Sequence, residues 1–185
     1  MPSVSLLNWQ NDRMPRLHQI DLQCAASVTA AHPNPHLIDE NLRGYVVLLS
    51  AHFQGFCRDL YSEAAQVIVA RVRPRLQRLI QDQFSAHRKL DRGNPNQQHM
   101  KADFGRFGFT LDLAADPANG PRLVHLDALN KWRNVAAHQG TTLPAGIPLT
   151  LGSVQAWRTS CDGLATSLDG ILYNELRTIL RRVPW

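Results

Sequence analysis

The sequence predicts an all-α bundle forming a single domain over residues 1–185, and three observations carry that expectation. Apolar residues recur every three or four positions through most of the chain. The one segment with strand-like alternation, DFGRFGFTLDL at 103–113, has no second such segment to pair with. Loop-forming compositions such as RGNPNQQ and TTLPAGIPLTLG separate the periodic stretches. At 44% hydrophobic and 19% charged, the chain can bury a core, which excludes wholesale disorder.

Taken in order, residues 1–15 read as an irregular N-terminal arm. A first helix is expected from about Arg16 to Ala31, on Leu17, Ile20, Leu22, Cys24, Ala25 and Val28, and the PNP at 33–35 stops it because proline cannot continue a helix. The strongest element runs from about Ile38 to Val72, where Leu42, Val46, Leu49, Phe53, Phe56, Leu60, Ala64, Val67 and Val69 keep helical spacing. Its length, about 50 Å at the helical rise, suits the central helix of a bundle. Pro74 allows a restart, with Leu76, Leu79, Ile80 and Phe84 marking the next helix. RGNPNQQ at 92–98 is a loop, 103–113 is expected as a short helix with its phenylalanines on the core, and ADPANGP is a turn. Leu123, Leu126, Leu129, Trp132 and Val135 or Ala136 form the stripe of a further helix that stops at Gly140. After an extended connector at 141–152, Val154, Trp157, Cys161, Leu164, Leu168, Ile171, Leu172, Leu176 and Ile179 make a long closing helix.

The formal charge is +5, from twenty Lys and Arg against fifteen Asp and Glu. A basic surface attracts polyanions through counterion release, so nucleic acid is the natural partner, against the alternative of a solvated surface. No apolar run reaches the roughly 18 to 20 residues of a membrane span, and the first residues lack the basic and apolar regions of a secretory signal. Cys24, Cys57 and Cys161 are odd in number, far apart and without CxxC spacing, which fits reduced thiols in a cytoplasmic protein and offers no metal site.

NKWRNVAAHQG at 130–140 is the segment that carries chemistry. Asn134 and His138 are i and i+4, so a helix stacks them on one face, and the long side chain of Arg133 can swing to the same groove. Ala136 and Ala137 keep that region small enough for another backbone or a polymer to approach. Histidine titrates near neutrality and can take or give a proton, while arginine offers a fixed fork of donors to charge growing on a phosphate. Asparagine can orient either group. The competing reading is a basic helix end that only complements the macrodipole.

The hexad RNVAAH resembles the R-x4-H signature of HEPN domains, in which a polar residue usually follows the arginine. NLRGYVVLLSAHFQGFCRDLYSEA at 41–64 is similar to the long second helix of bacterial HEPN proteins of the RiboL-PSP and MAE_28990 type. The likeness extends over roughly 38–182. It implies an all-α HEPN-like bundle with a long central helix, a motif helix and a long C-terminal helix, dimerising with its motif helices apposed. It also implies a metal-independent endoribonuclease needing no cofactor, a toxin or effector of toxin–antitoxin, abortive-infection or anti-phage systems, with an antitoxin or other defence protein as partner. On this resemblance Arg133 stabilises the phosphate, Asn134 positions it and His138 is the acid or base, leaving a 2′,3′-cyclic phosphate. Some members carry a tyrosine two residues after the histidine as a nucleotidylation target. Gly140 stands there in this chain, so that control is not implied. The alternatives are a non-catalytic HEPN module that binds RNA or protein, and a purely structural helical dimer.

Further candidates rank below the hexad. Lys131 is a candidate phosphate contact, and Arg71, Arg75 and Arg78 are candidate RNA contacts, although their spacing with Arg73 wraps around a helix. Trp132 reads as core. His52 reads as a partnered histidine at a helix contact, Gln54 has no assigned role, and His125, Asp127 and Asn130 are not read as a triad. His87, His99 and Cys161 have no metal-binding spacing.

Overall fold

The computed structural model describes residues 1–138, 144 and 146–185, and every regular element among them is helical. The central helix is α3 (Pro35–Val69), following α1 (Val4–Asn8) and α2 (Met14–Val28). Its start is fixed by Asn34, whose side chain accepts from the amides of His36 and Leu37, and by Pro35, whose missing N–H costs nothing in the first turn. Helix α3 therefore begins three residues before its expected start. It ends at Val69, before the turn through Arg71 and Val72 that leads into α4 (Pro74–Ser85). The expected stripe is buried: Leu42, Val46, Leu49, Phe53, Phe56, Leu60 and Ala64 are 0–4% exposed. It packs against α2, α6 (Asn119–Ala137) and α7 (Leu151–Leu180).

Helix α7 closes the bundle. Thr150 and Ser153 form a reciprocal cap, each accepting from the other's amide (3.1 and 2.9 Å), and Val154, Trp157, Cys161, Leu164, Leu168 and Leu176 are buried beyond it. Asp21 on α2 ties this face to α7 through Gln155 Nε2 (3.1 Å) and an ion pair with Arg158 (3.4 Å).

The N-terminal arm is helical, which corrects the reading of residues 1–15. Helix α1 runs into a π-turn over Trp9–Arg13 and then α2, with Met14 N donating to Trp9 O. Pro15 explains the wide turn: its ring crowds the carbonyl four residues back, and the extra residue in the loop relieves that clash. The turn also breaks the 3.6-residue periodicity, so Leu6, Trp9 and Leu17 do not read as one stripe although all three are buried. Trp9 is 0% exposed, packs on Phe53 and Phe56 at 5.9 and 5.6 Å, and donates from Nε1 to Asp162 (2.9 Å). Glu63 on α3 accepts from the amides of Val4 and Ser5 (both 2.9 Å), satisfying the exposed donors of the first turn. At the other end, α2 stops at Val28 rather than Ala31.

The short helix lies earlier than expected. Helix α5 spans Gln97–Phe104, capped by Asn96, and gives way to a 3₁₀ turn over Gly105–Phe107 that closes on Gly108 at φ +91°. The phenylalanines do pack as expected: Phe104 and Phe107 are buried against Tyr61, with Phe107 stacked on it at 4.7 Å. Among the described residues no helix is long and apolar enough to cross a membrane.

If the π-turn exists to seat Trp9, Trp9→Ala leaves a large cavity between α1, α3 and α7 and an unpaired Asp162. The expected loss is about 3–5 kcal/mol, read as a lower urea midpoint and melting temperature. A change below about 1 kcal/mol is inconsistent with this seating.

Candidate active site

Helix α6 presents two faces. Leu126, Leu129 and Trp132 are buried on one, and Trp132 Nε1 donates to Ile147 O (2.9 Å) while the Arg43 guanidinium lies 5.8 Å from its ring centroid. Trp132 is therefore core, as its spacing indicates. The other face carries Lys131, Asn134 and His138, all exposed, with Arg133 half-buried beside them.

The helix ends at Ala137, three residues short of the expected stop, and Gly140 lies outside the described residues. His138 is the C-cap, its backbone N–H donating to Asn134 O (3.1 Å). Its imidazole thus stands exposed at the helix end, one turn beyond Asn134. Asn134 Oδ1 accepts from Arg133 (3.4 Å) and from Asn94 Nδ2 (2.8 Å). With Oδ1 occupied, the group Asn134 has left is its NH₂, which has no acceptor among the described residues. Arg133 and Asn134 together therefore present hydrogen-bond donors only, a surface suited to phosphate oxygens.

Asn94 belongs to the 92–96 loop, forty residues from the motif, and no sequence signal marked it. The loop reaches α6 because three helices hold its backbone. Gln54 Nε2 on α3 donates to Leu90 O (2.6 Å) and Gly93 O (2.9 Å), and Asn130 Nδ2 on α6 donates to Pro95 O (2.9 Å). The Asp103 carboxylate on α5 accepts from the amides of Lys89 and Leu90 (2.9 and 2.8 Å). Gln54 thus acquires the role the sequence left unassigned: it sets the loop that carries Asn94. His99 Nδ1 adds a contact to Asn94 O (2.8 Å).

The other candidates sort by distance. Lys131 is on the motif face but is paired with Asp127 (2.8 Å). Arg71, Arg75 and Arg78 are exposed beyond the C-terminal end of α3, on the turn and on α4, and none of them bonds to a motif residue among the described residues. His125 is spent on Ser160 (2.7 Å), which agrees with reading no triad there. His52 lies beside Arg13 and Arg16 rather than the motif, and its ring has no hydrogen-bond partner among the described residues, which corrects its reading as partnered. Burial first, and then the two arginines, hold its pKa below the ordinary 6.5. Burial likewise pushes the Cys57 and Cys161 thiols up, which disfavours the nucleophilic thiolate. Among the described residues no three His, Cys, Asp or Glu side chains converge as metal ligands.

No family model matches the chain, and the searches of curated proteins and of solved structures likewise give no match.

Replacing Gln54 by leucine removes the donor of the part-buried bonds to the Leu90 and Gly93 carbonyls and unpins the loop. We expect a loss of about 1–3 kcal/mol together with faster amide exchange through residues 89–95, measured by hydrogen–deuterium exchange. Unchanged exchange there separates Gln54 from the loop. A second outcome concerns acid stability. Because folded His52 has the lower pKa, the unfolded chain takes up its proton first, so its contribution is intact above about 6.5 and is lost as pH falls below that value. His52→Gln should therefore flatten the fall in urea midpoint on the acid side, and an identical slope in the variant sinks this assignment.

Proposed function

We propose that the chain is a metal-independent endoribonuclease of the HEPN type, working as a homodimer. The observation that carries this reading is the donor-only face made by Arg133 and Asn134 beside the exposed imidazole of His138. Among the described residues neither Arg133 nor His138 is engaged in an ion pair, so their pattern is not explained by a structural salt bridge.

RNA supplies its own nucleophile. His138, neutral, takes the proton of a 2′-hydroxyl, and the 2′-oxygen attacks the adjacent phosphorus. Charge that grows on the non-bridging oxygens is met by the Arg133 guanidinium and the Asn134 NH₂. The 5′-oxygen leaves with the bond electrons and requires a proton, and the products are a 2′,3′-cyclic phosphate and a 5′-hydroxyl. One protomer holds one motif imidazole, so a second copy with its α6 end apposed supplies the acid. The small side chains of Ala136 and Ala137 leave room for that approach. A metal-independent RNase of this kind fits a toxin or effector of a toxin–antitoxin, abortive-infection or anti-phage system in the cytoplasm, restrained by a partner protein.

The test is cleavage of generic RNA in the presence of EDTA. Wild type should cleave and leave cyclic phosphate ends, and Arg133→Ala and His138→Ala should each reduce the rate by about 10²–10⁴-fold. Mixing the two inactive variants should restore part of the activity if the site is shared between copies. Cleavage that survives both substitutions rules out these residues, and intact RNA with folded wild type favours a non-catalytic RNA- or protein-binding module.

A further inference from the structure

We propose that a cleft one helical turn from Asn134 is a nucleobase subsite that takes a base with an exocyclic amino group, a reading that rests on the proposed RNase function and names how its substrate is held. The cleft, about 350 Å³, opens between the N-terminus of α5 and the middle of α6. That volume is within the range of small-ligand sites. Leu123 and Leu126 give it an apolar wall, and Asn96, Gln97 and Gln98 line the opposite side.

Part of its hydrogen-bonding capacity is unspent among the described residues. Asn130, 7% exposed, lines the cleft, and its amide orientation is set because Nδ2 donates to Pro95 O. That leaves Oδ1 buried with no donor. An unsatisfied buried acceptor is costly and asks for an explanation, and a small side-chain shift toward the cleft that Asn130 lines would let a ligand N–H supply the missing donor. Asp127 at the rim is a second acceptor: Oδ2 takes the Lys131 ammonium and Oδ1 remains. On the facing side, the Asn96 side chain accepts from His99 N, while the amides of Gln97 and Gln98 in the first turn of α5 have no acceptor among the described residues. The cleft therefore pairs acceptors on α6 with donors on α5 across an apolar wall.

A flat heterocycle with adjacent donor and acceptor atoms matches this arrangement. Adenine, cytosine and guanine each place an amino group beside a ring nitrogen or carbonyl. Uracil has a single N–H and no amino group, so it satisfies fewer of the acceptors. A free phosphate satisfies the α5 amides but brings negative charge to Asn130 Oδ1 and Asp127. Asn130 and Asn134 are separated by about 6 Å along α6, so a base held here puts a neighbouring phosphate within reach of the Arg133 and Asn134 donors.

The experiment is an amide NMR titration of the full chain with AMP, CMP, GMP, UMP and ribose 5-phosphate, which needs no catalysis. The expected result is that at least one amino-bearing nucleotide shifts the amides of Gln97 and Gln98 and the Asn130 side-chain signals, binding about tenfold tighter than UMP. Ribose 5-phosphate should leave these signals in place. Leu123→Trp, a half-buried position that fills the cleft, should weaken binding about tenfold or more with an unchanged melting temperature. Equal response to ribose 5-phosphate reduces the site to anion binding at a helix end and overturns the proposal, as does binding that survives Leu123→Trp or an absence of shifts. RNA cleavage without nucleotide binding removes this subsite and leaves the nuclease reading standing; nucleotide binding with RNA left intact does the reverse.

Discussion

The candidate site depends on one constraint: an irregular loop pressed between helices must have its backbone polar groups satisfied. Leu90 and Pro95 are buried, and beyond the single 3₁₀ turn over Lys89–Asp91 the segment has no regular element to supply partners for its carbonyls. Each supporting helix lends a side chain instead, Gln54 from α3, Asp103 from α5 and Asn130 from α6. These bonds do more than remove a desolvation cost. They fix where Asn94 points, and Asn94 in turn occupies the acceptor of Asn134 and leaves its donor outward. The same bonds spend the donor of Asn130 and strand its acceptor beside the cleft. The polarity of both candidate surfaces thus follows from how one loop is anchored.

The frame behind that loop is apolar and local in origin. The stripe of α3 is buried along its length, and α6 and α7 lie against it. This is why the long elements were legible in the sequence: their spacing and the Pro74 restart are local signals that packing reinforces, whereas Asn34 and Pro35 read as a stop for α2 and not as the start of α3. The first thirteen residues were illegible for an equally physical reason. A π-turn shifts phase by one residue, so Trp9 falls off the stripe defined by Leu17 and Cys24 even though it is among the most buried side chains in the chain. Near 103–113 the phenylalanines were assigned to the core correctly, but Asn96 as cap and Gly108 as terminator started the helix six residues earlier than its pattern suggested.

Of the candidate site, the part carried by one helix could be read and the part built from distant segments could not. Arg133, Asn134 and His138 could be named from their spacing together with the resemblance of RNVAAH, whereas Asn94, Gln54 and Asn130 join them only once α3, the loop and α6 are set side by side. Arginine content misled in the opposite direction. The row at 71–78 is dense in sequence yet lies at the far end of α3, while Arg43, isolated in sequence, sits on Trp132 near the motif. Charge density along a chain does not measure charge density at a site.

The end of α6 also bears on how such chemistry could be completed. A histidine within the helix would be held on one side by its own turn, but His138 at the C-cap has its backbone bonded to Asn134 and its ring in solvent. Within the protomer, Asn134 is fixed by Asn94, whereas the exposed His138 ring has no hydrogen-bond partner among the described residues. A preorganised donor pair beside a proton-transfer group that still lacks packing is an arrangement in which an apposed copy can add two things at once: a second imidazole, and the surface that orients the first. On the proposed reading, dimerisation is therefore part of forming the active site, and the protomer contributes the half of it that the loop anchors can hold still.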